Sequence, residues 1–215
     1  MSKLDTAEEK RFRLRLAAIR ALSPLPDGER HRYDLKSIQR GGYFSLQGEN
    51  WQVRAMHRYQ ETKWDFQKDK RYTLWELEIF SLKSAQVRHI EWGVDDDLEI
   101  FLAGERLKFR DLTDDQDRRV GKADLDRLAD AEGGIKYQGK TYWYNDDESW
   151  AAKFYRNNQG SPERVRFYEF ATKNDDCLTI EAWYDEADRE CEIWTSREVD
   201  THAIRILQLQ GVPAP

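Results

Sequence analysis

At 215 residues, with eight Trp, ten Tyr and nine Phe, the chain carries the apolar payload of a folded protein, which excludes intrinsic disorder despite 35% charged side chains. The net charge of −6 is unevenly spread: residues 1–40 hold ten Lys/Arg against six Asp/Glu, and the remaining 175 hold 25 against 35. An acidic body repels nucleic acid and anionic membrane and attracts cations or basic partners, so nucleic-acid binding is not expected.

The chain opens with a helix signal. Thr6 and Glu9 have the spacing of a capping box, and Phe12, Leu16 and Ile19 share one helical face, with Arg13 and Arg20 lying off it. A helix is predicted from about Ala7 to Leu22, stopped by Ser23-Pro24-Leu25-Pro26 because proline removes a backbone donor and disfavours helix in the residue before it. Residues 1–32 therefore read as a basic helix and linker. Three roles are open to the helix: docking of Phe12, Leu16 and Ile19 on the body, binding of a partner by that face, or marginal peripheral contact with an anionic membrane.

From Tyr33 the pattern changes to the two-residue period of strands. Residues 33–110 read as a first β unit, 111–132 as an acidic linker with a short helix near Lys122–Ala131, 133–210 as a second β unit and 211–215 as a tail. The two units echo one another. Gly41-Gly42 with Gln47-Gly48 returns as Gly133-Gly134 with Gln138-Gly139, Trp75-Glu76-Leu77 as Tyr168-Glu169-Phe170, Ile90-Glu91 as Ile180-Glu181, and Glu99-Ile100-Phe101 as Glu192-Ile193-Trp194. The expected class is mainly β: two tandem antiparallel units that read as a duplication, sandwich- or barrel-like, behind an N-terminal α-helix.

Standard catalytic and cofactor signatures are missing. There is no phosphate-binding loop, dinucleotide fingerprint, nucleophile elbow or HExxH, and His31, His57, His89 and His202 are scattered. Asp95-Asp96-Asp97 and Asn145-Asp146-Asp147-Glu148 lack calcium-loop spacing and read as polar turns. No metal or cofactor is expected. A hairpin turning at Asp185–Asp188 sets Cys177 against Ser196 and Cys191 against Ala182, too far apart to bridge, so both are read as thiols, with Cys191 facing the core. No apolar run approaches the roughly 20 residues of a membrane span, and no signal-peptide core is present, which makes cytoplasm the expected compartment.

The same hairpin sets Glu181 opposite Glu192, with Trp183 and Trp194 on that face and Leu178, Ile180, Ala182, Cys191 and Ile193 on the other. In the first unit Glu91 and Glu99 are expected to oppose one another in the same way, near Phe101. Like charges opposed across strands need a cation. In the structural reading Arg166, Arg189 or Arg197 supplies it and the two Trp pack under a neighbouring element. In the functional reading the acids and indole faces hold a polyamine-like organic cation or a Lys/Arg side chain of a partner. A Glu acid/base pair, and hence an enzyme, is the most distant alternative.

The run from Leu35 to Leu102, with Gly48, Trp51, Val53 and Leu74-Trp75-Glu76-Leu77, together with Tyr137-Gln138-Gly139-Lys140-Thr141-Tyr142 and Leu178-Thr179-Ile180-Glu181, resembles the bacterial domain-of-unknown-function family 4178 over most of residues 33–207. The resemblance implies a β-rich cytoplasmic bacterial protein without assigned activity. It also implies genomic neighbours among membrane-stress proteins of phage-shock type, small membrane proteins and polyamine aminopropyltransferase-like enzymes. The Arg-rich N-terminal helix has no counterpart in that pattern. The leading expectation is a non-enzymatic interaction protein whose acidic, Trp-bearing faces and basic helix meet a protein partner.

Overall fold

The computed structural model describes residues 3–174, 176–185 and 191–211. In chain order they form α1 (Lys3–Arg20), β1 (Tyr43–Leu46), β2 (Glu49–Thr62), β3 (Asp69–Ser81), β4 (Val87–Val94), β5 (Leu98–Leu107) and β6 (Thr113–Asp114). There follow α2 (Leu125–Asp130), β7 (Gly134–Tyr137), β8 (Lys140–Tyr144), β9 (Trp150–Tyr155), β10 (Glu163–Ala171), β11 (Cys177–Trp183), β12 (Cys191–Glu198) and β13 (Ile204–Gln208). The turn predicted at Asp185–Asp188, Arg189, and the tail from residue 212 fall wholly or partly outside the described residues.

Eight of these strands close a barrel in the order β2-β3-β4-β5-β12-β11-β10-β9 and back to β2, every pair antiparallel. The first half of the chain supplies β2–β5 and the second supplies β9–β12, so the two units expected from sequence share one closed sheet. Two seams join them: β5 with β12, and Arg58–Thr62 of β2 with Ala151–Tyr155 of β9. Closure removes the exposed edges that each half would have alone. Beyond the barrel, β1 and β13 extend the sheet from β2, while β8, β7 and β6 extend it from β10.

Both extensions begin with the same turn. Gln47-Gly48 (φ 54° and 74°) and Gln138-Gly139 (φ 48° and 76°) are two-residue hairpins with positive φ at both positions, the turn whose twist matches that of its strands and which favours Gly at the second site.

Alternation along the strands puts two of the apolar cores outside the barrel, while a third, of Tyr59, Leu74, Phe154, Val165 and Phe167, fills one side of its interior. Leu77, Ile79, Ile90, Trp92, Ile100 and Leu102 face outwards into a core closed by Phe44, Leu46, Leu35, Ile38 and Ile206. Leu178, Ile180, Ala182 and Ile193 do the same on the opposite side, under Leu125, Leu128, Ile135 and Tyr142. Each such buried side chain contributes about 1.5–3 kcal/mol. The segment 111–132 is part of this second core: Leu112, Val120, Leu125 and Leu128 are buried, and β6 pairs with β7. Cys177 and Cys191 lie opposite Ser196 and Ala182, at the two ends of the β11–β12 ladder, and Cys191 packs against the second core.

The N-terminal helix meets the body differently from the expected docking of Phe12, Leu16 and Ile19. Phe12 is 64% and Ile19 46% exposed. The contact is made by the last turn and the residues after it: Ala18 is buried and its carbonyl accepts from Tyr43 Oη at 2.7 Å, while Leu22 packs beside Phe80 and Leu82. The linker sets this position, because Ser23 N–H donates to Gln208 Oε1 at 2.5 Å and Leu25 N–H to the Leu207 carbonyl at 2.7 Å. No helix among the described residues is long and apolar enough to cross a membrane.

Candidate functional site

Beside the cluster of Tyr59, Phe154 and Phe167, the lumen receives the polar side chains of the inward face. It has an hourglass form: one vestibule of about 270 Å³, a second of about 310 Å³, and a waist of about 20 Å³ between them. Glu76, Glu91 and Glu181 line the waist, together with His89, Thr179, Trp194 and Ser196. A larger groove of about 650 Å³ lies outside the wall near α2; its Arg166 already bonds the Trp64 carbonyl at 3.1 Å and covers the Trp64 ring at 4.6 Å.

The second vestibule has mixed charge. Glu76, 6% exposed, accepts from Tyr59 Oη at 2.8 Å and pairs with His89 Nδ1 at 2.9 Å. Burial alone raises the Glu76 carboxyl, but the bond and charge of His89 and the Tyr59 hydroxyl outweigh it and hold the group below its usual value. Burial likewise lowers His89, and the Glu76 contact reverses this, raising it. Glu192 is met by Arg106 Nη2 at 2.5 Å, and the same guanidinium lies 5.3 Å from the Trp194 ring centroid. Trp194 stacks on His89 at 5.9 Å, and buried His57 uses Nδ1 to accept from Asn157 N–H at 3.0 Å.

The first vestibule is acidic throughout. Glu91, Glu99, Glu148 and Glu169 line it beside Tyr72, Phe101, Trp150 and Phe167, and no Lys, Arg or His is among its described lining residues. Trp150 stacks on Phe167 at 4.4 Å and meets Tyr72 edge-on at 5.6 Å. Gly93 makes room for Tyr72, since a Cβ there would fall 2.1 Å from its hydroxyl. Burial pushes Glu91 up to about 8, reinforced by the charges of Glu76 and Glu169. It pushes Glu169 up to about 8 against the hydrogen bond from Thr179 Oγ1 at 2.7 Å. Glu181, at the waist and 5% exposed, is driven well above the carboxylate range by burial and by Glu76 and Glu91. Among the described residues no side chain donates a hydrogen bond to Glu91 or Glu181. Glu91 and Glu169, at about 8, can take up or release protons near neutral pH.

The residues singled out from sequence divide between the two vestibules. Glu181 and Glu192 are directly opposed, with Trp183 and Trp194 on the same inward face. Glu91, Glu99 and Phe101 face the acidic vestibule, but Glu91 stands opposite Phe101, and Glu99 opposite Gly93. The expected Glu91–Glu99 opposition is thus a diagonal one. Asp95–Asp97 form a three-residue loop that closes Val94 on Leu98, two positions beyond the assumed register. The cation facing Glu192 is Arg106 of the other half; Arg166 lies outside the barrel and Arg197 reaches Gln47 at 2.8 Å. Glu76 and Glu169 were missed as site residues, although the repeated aromatic-Glu-apolar triplet marked both.

The family described as Domain of unknown function (DUF4178) matches residues 39–201. The chain belongs to this family. The match spans all eight barrel strands and both vestibules, leaving α1 and β13 outside it. No curated protein and no solved structure matches the chain.

Proposed function

We propose that the barrel is a binding protein for a small organic cation of the amine or guanidine class, held in the acidic vestibule. The observation that carries this reading is the set of Glu91, Glu99, Glu148 and Glu169 around Tyr72, Phe101 and Trp150, with no basic side chain among the described lining residues. Carboxyl groups gathered in one cavity repel when ionised, and a bound cation removes that cost while aromatic faces add cation–π attraction. Because Glu91 and Glu169 sit at about 8, binding a cation drives protons off them. Calorimetry with spermidine, agmatine and cadaverine at pH 6 and pH 8, in two buffers of different ionisation enthalpy, tests this. Affinity rising with pH and proton release on binding are expected; no heat with any of the three cations overturns the reading.

The matched order of strands, the identical opening turns and the paired glutamates Glu76 with Glu169 and Glu91 with Glu181 support descent of the two halves from one duplicated unit. A second reading, a protein-interaction role for α1, rests on the exposure of Phe12 and Ile19 beside Arg13 and Arg20. Affinity purification with the full chain and a form lacking residues 1–23 tests it: a partner captured only by the full chain supports the role, and none with either removes it.

A further inference from the structure

The two vestibules are built from corresponding residues with the halves exchanged. The acidic one takes Glu91, Glu99 and Phe101 from the first half and Glu169 from the second. The mixed-charge one takes Glu181, Glu192 and Trp194 from the second half and Glu76 from the first. Three positions separate them. Opposite Trp194 on the β5–β12 ladder stands Arg106, and opposite Phe101 on the same ladder stands Glu198. Glu76 is met by His89 as well as by Tyr59, whereas the corresponding donor to Glu169 is Thr179. Two residues beyond Glu181 is Trp183, and two beyond Glu91 is Gly93. The first two differences remove a cation from the acidic vestibule, and the third gives the Tyr72 ring the room that Trp183 occupies in the other half.

The mixed-charge vestibule therefore displays how a cation sits in this architecture, because the protein supplies one: the Arg106 guanidinium bonds Glu192 at 2.5 Å and lies over the Trp194 ring. We infer that the acidic vestibule takes a guanidinium-bearing small molecule, its planar cation seated on Glu99 and the Phe101 ring as Arg106 is seated on Glu192 and Trp194. This deepens the cation-binding reading and rests on it. A guanidinium is planar, weakly hydrated, stacks on aromatic faces and matches a carboxylate with directed N–H donors, whereas an ammonium is a strongly hydrated point charge. The volume of about 270 Å³ is small for a ligand pocket, which suits a guanidinium on a short chain rather than a peptide segment. Behind the cation, Glu91 and Glu169 stand ready for a second positive group at the far end of that chain.

Calorimetry with agmatine against cadaverine, a diamine of similar length, decides the matter when joined to two variants whose melting curves verify folding. The full chain should bind one agmatine, about tenfold or more tighter than cadaverine. Glu198→Arg places a guanidinium opposite Phe101 and should abolish agmatine binding, mimicking the filled vestibule. Arg106→Ala/Arg156→Ala, which removes both guanidinium groups lining the mixed-charge vestibule, should raise the stoichiometry from one to two. Cadaverine binding as tightly as agmatine, or Glu198→Arg binding undiminished, or Arg106→Ala/Arg156→Ala still binding one, overturns this inference while leaving cation binding in place. Failure of agmatine, cadaverine and spermidine alike overturns both.

Discussion

Glu181 stands directly across the β11–β12 ladder from Glu192, and of the two only Glu192 has Arg106 against it, at 2.5 Å. Glu181 is the more deeply buried, and its neighbours Glu76, Glu91 and Glu169 all raise its proton affinity. Burial and the crowding of acids favour its protonated form, and holding the group there costs stability.

Replacing Glu181 by Gln should therefore stabilise the ligand-free protein at pH 7–8, by on the order of 1–2 kcal/mol. The adjacent Ile180, on the outer face and fully buried, should behave in the opposite way: Ile180→Ala is expected to cost about 2–5 kcal/mol. Urea unfolding of the two variants measures the contrast. Equal destabilisation by both would mean that Glu181 is held by contacts other than those described here.

Stability should depend on pH with a sign opposite to that of an acid-labile protein. Glu91 and Glu169 keep their protons in the fold up to about pH 8, whereas in the unfolded chain they ionise near 4.5. Their contribution is complete below about 4.5 and is lost as pH rises through about 8. The Tm should fall between pH 5 and 8, at about 2–4 °C for each kcal/mol lost in a chain of this size. The Glu91→Gln/Glu169→Gln pair should flatten that slope, and a wild-type Tm that rises over the same interval would contradict the assignment.

The Glu76–His89 pair works within a window. The raised His89 stabilises fully below its ordinary 6.5 and loses that contribution as pH climbs through its folded value, and the lowered Glu76 loses its contribution as pH falls below its ordinary 4.5. Gln at position 89 keeps a donor but no charge. With a third of the His89 side chain facing solvent, His89→Gln should cost about 1–2 kcal/mol near pH 6 and clearly less at pH 9. A penalty independent of pH would show that only the hydrogen bond matters.

Deleting residues 1–17 should leave the barrel almost as stable as before, because the helix meets the body through Ala18 and the residues after it. A Tm change within about 2 °C is expected. A fall of ten degrees would require contacts from Phe12 or Leu14 that their exposure does not provide.

The second hairpin was legible because alternation and a single turn settle both its register and its faces: Cys177 meets Ser196, Glu181 meets Glu192 and Ile180 points away from both. The first hairpin was half legible. Its faces were right, but where a run of three Asp turns the chain, composition alone does not say whether the loop takes one residue or three, and the register slipped. Sandwich and barrel both fitted the strand pattern, and what it did not decide was closure of one barrel from both halves. Its closing seam joins Arg58–Thr62 to Ala151–Tyr155 across about ninety residues, and neither strand carries a local mark of the other. The direction of the core was hidden for the same reason: alternation assigns Glu76 and Leu77 to opposite faces without saying which one is enclosed when the sheet closes.

A barrel with two packed cores on its outer wall separates, in part, two kinds of selection that most small folds must combine. Leu77, Ile90, Ile180 and Ile193 hold the strands from behind and Tyr59, Phe154 and Phe167 fill one side of the lumen, so exchange with little penalty in assembly belongs to the polar side chains that face the vestibules. On the duplication proposed above, Gly93 against Trp183, Thr179 against His89 and Glu198 against Arg106 are three positions where the halves differ in this way. Divergence in this family is then expected to run along the inside of the wall, and a chain with new contents there would fold on the same frame.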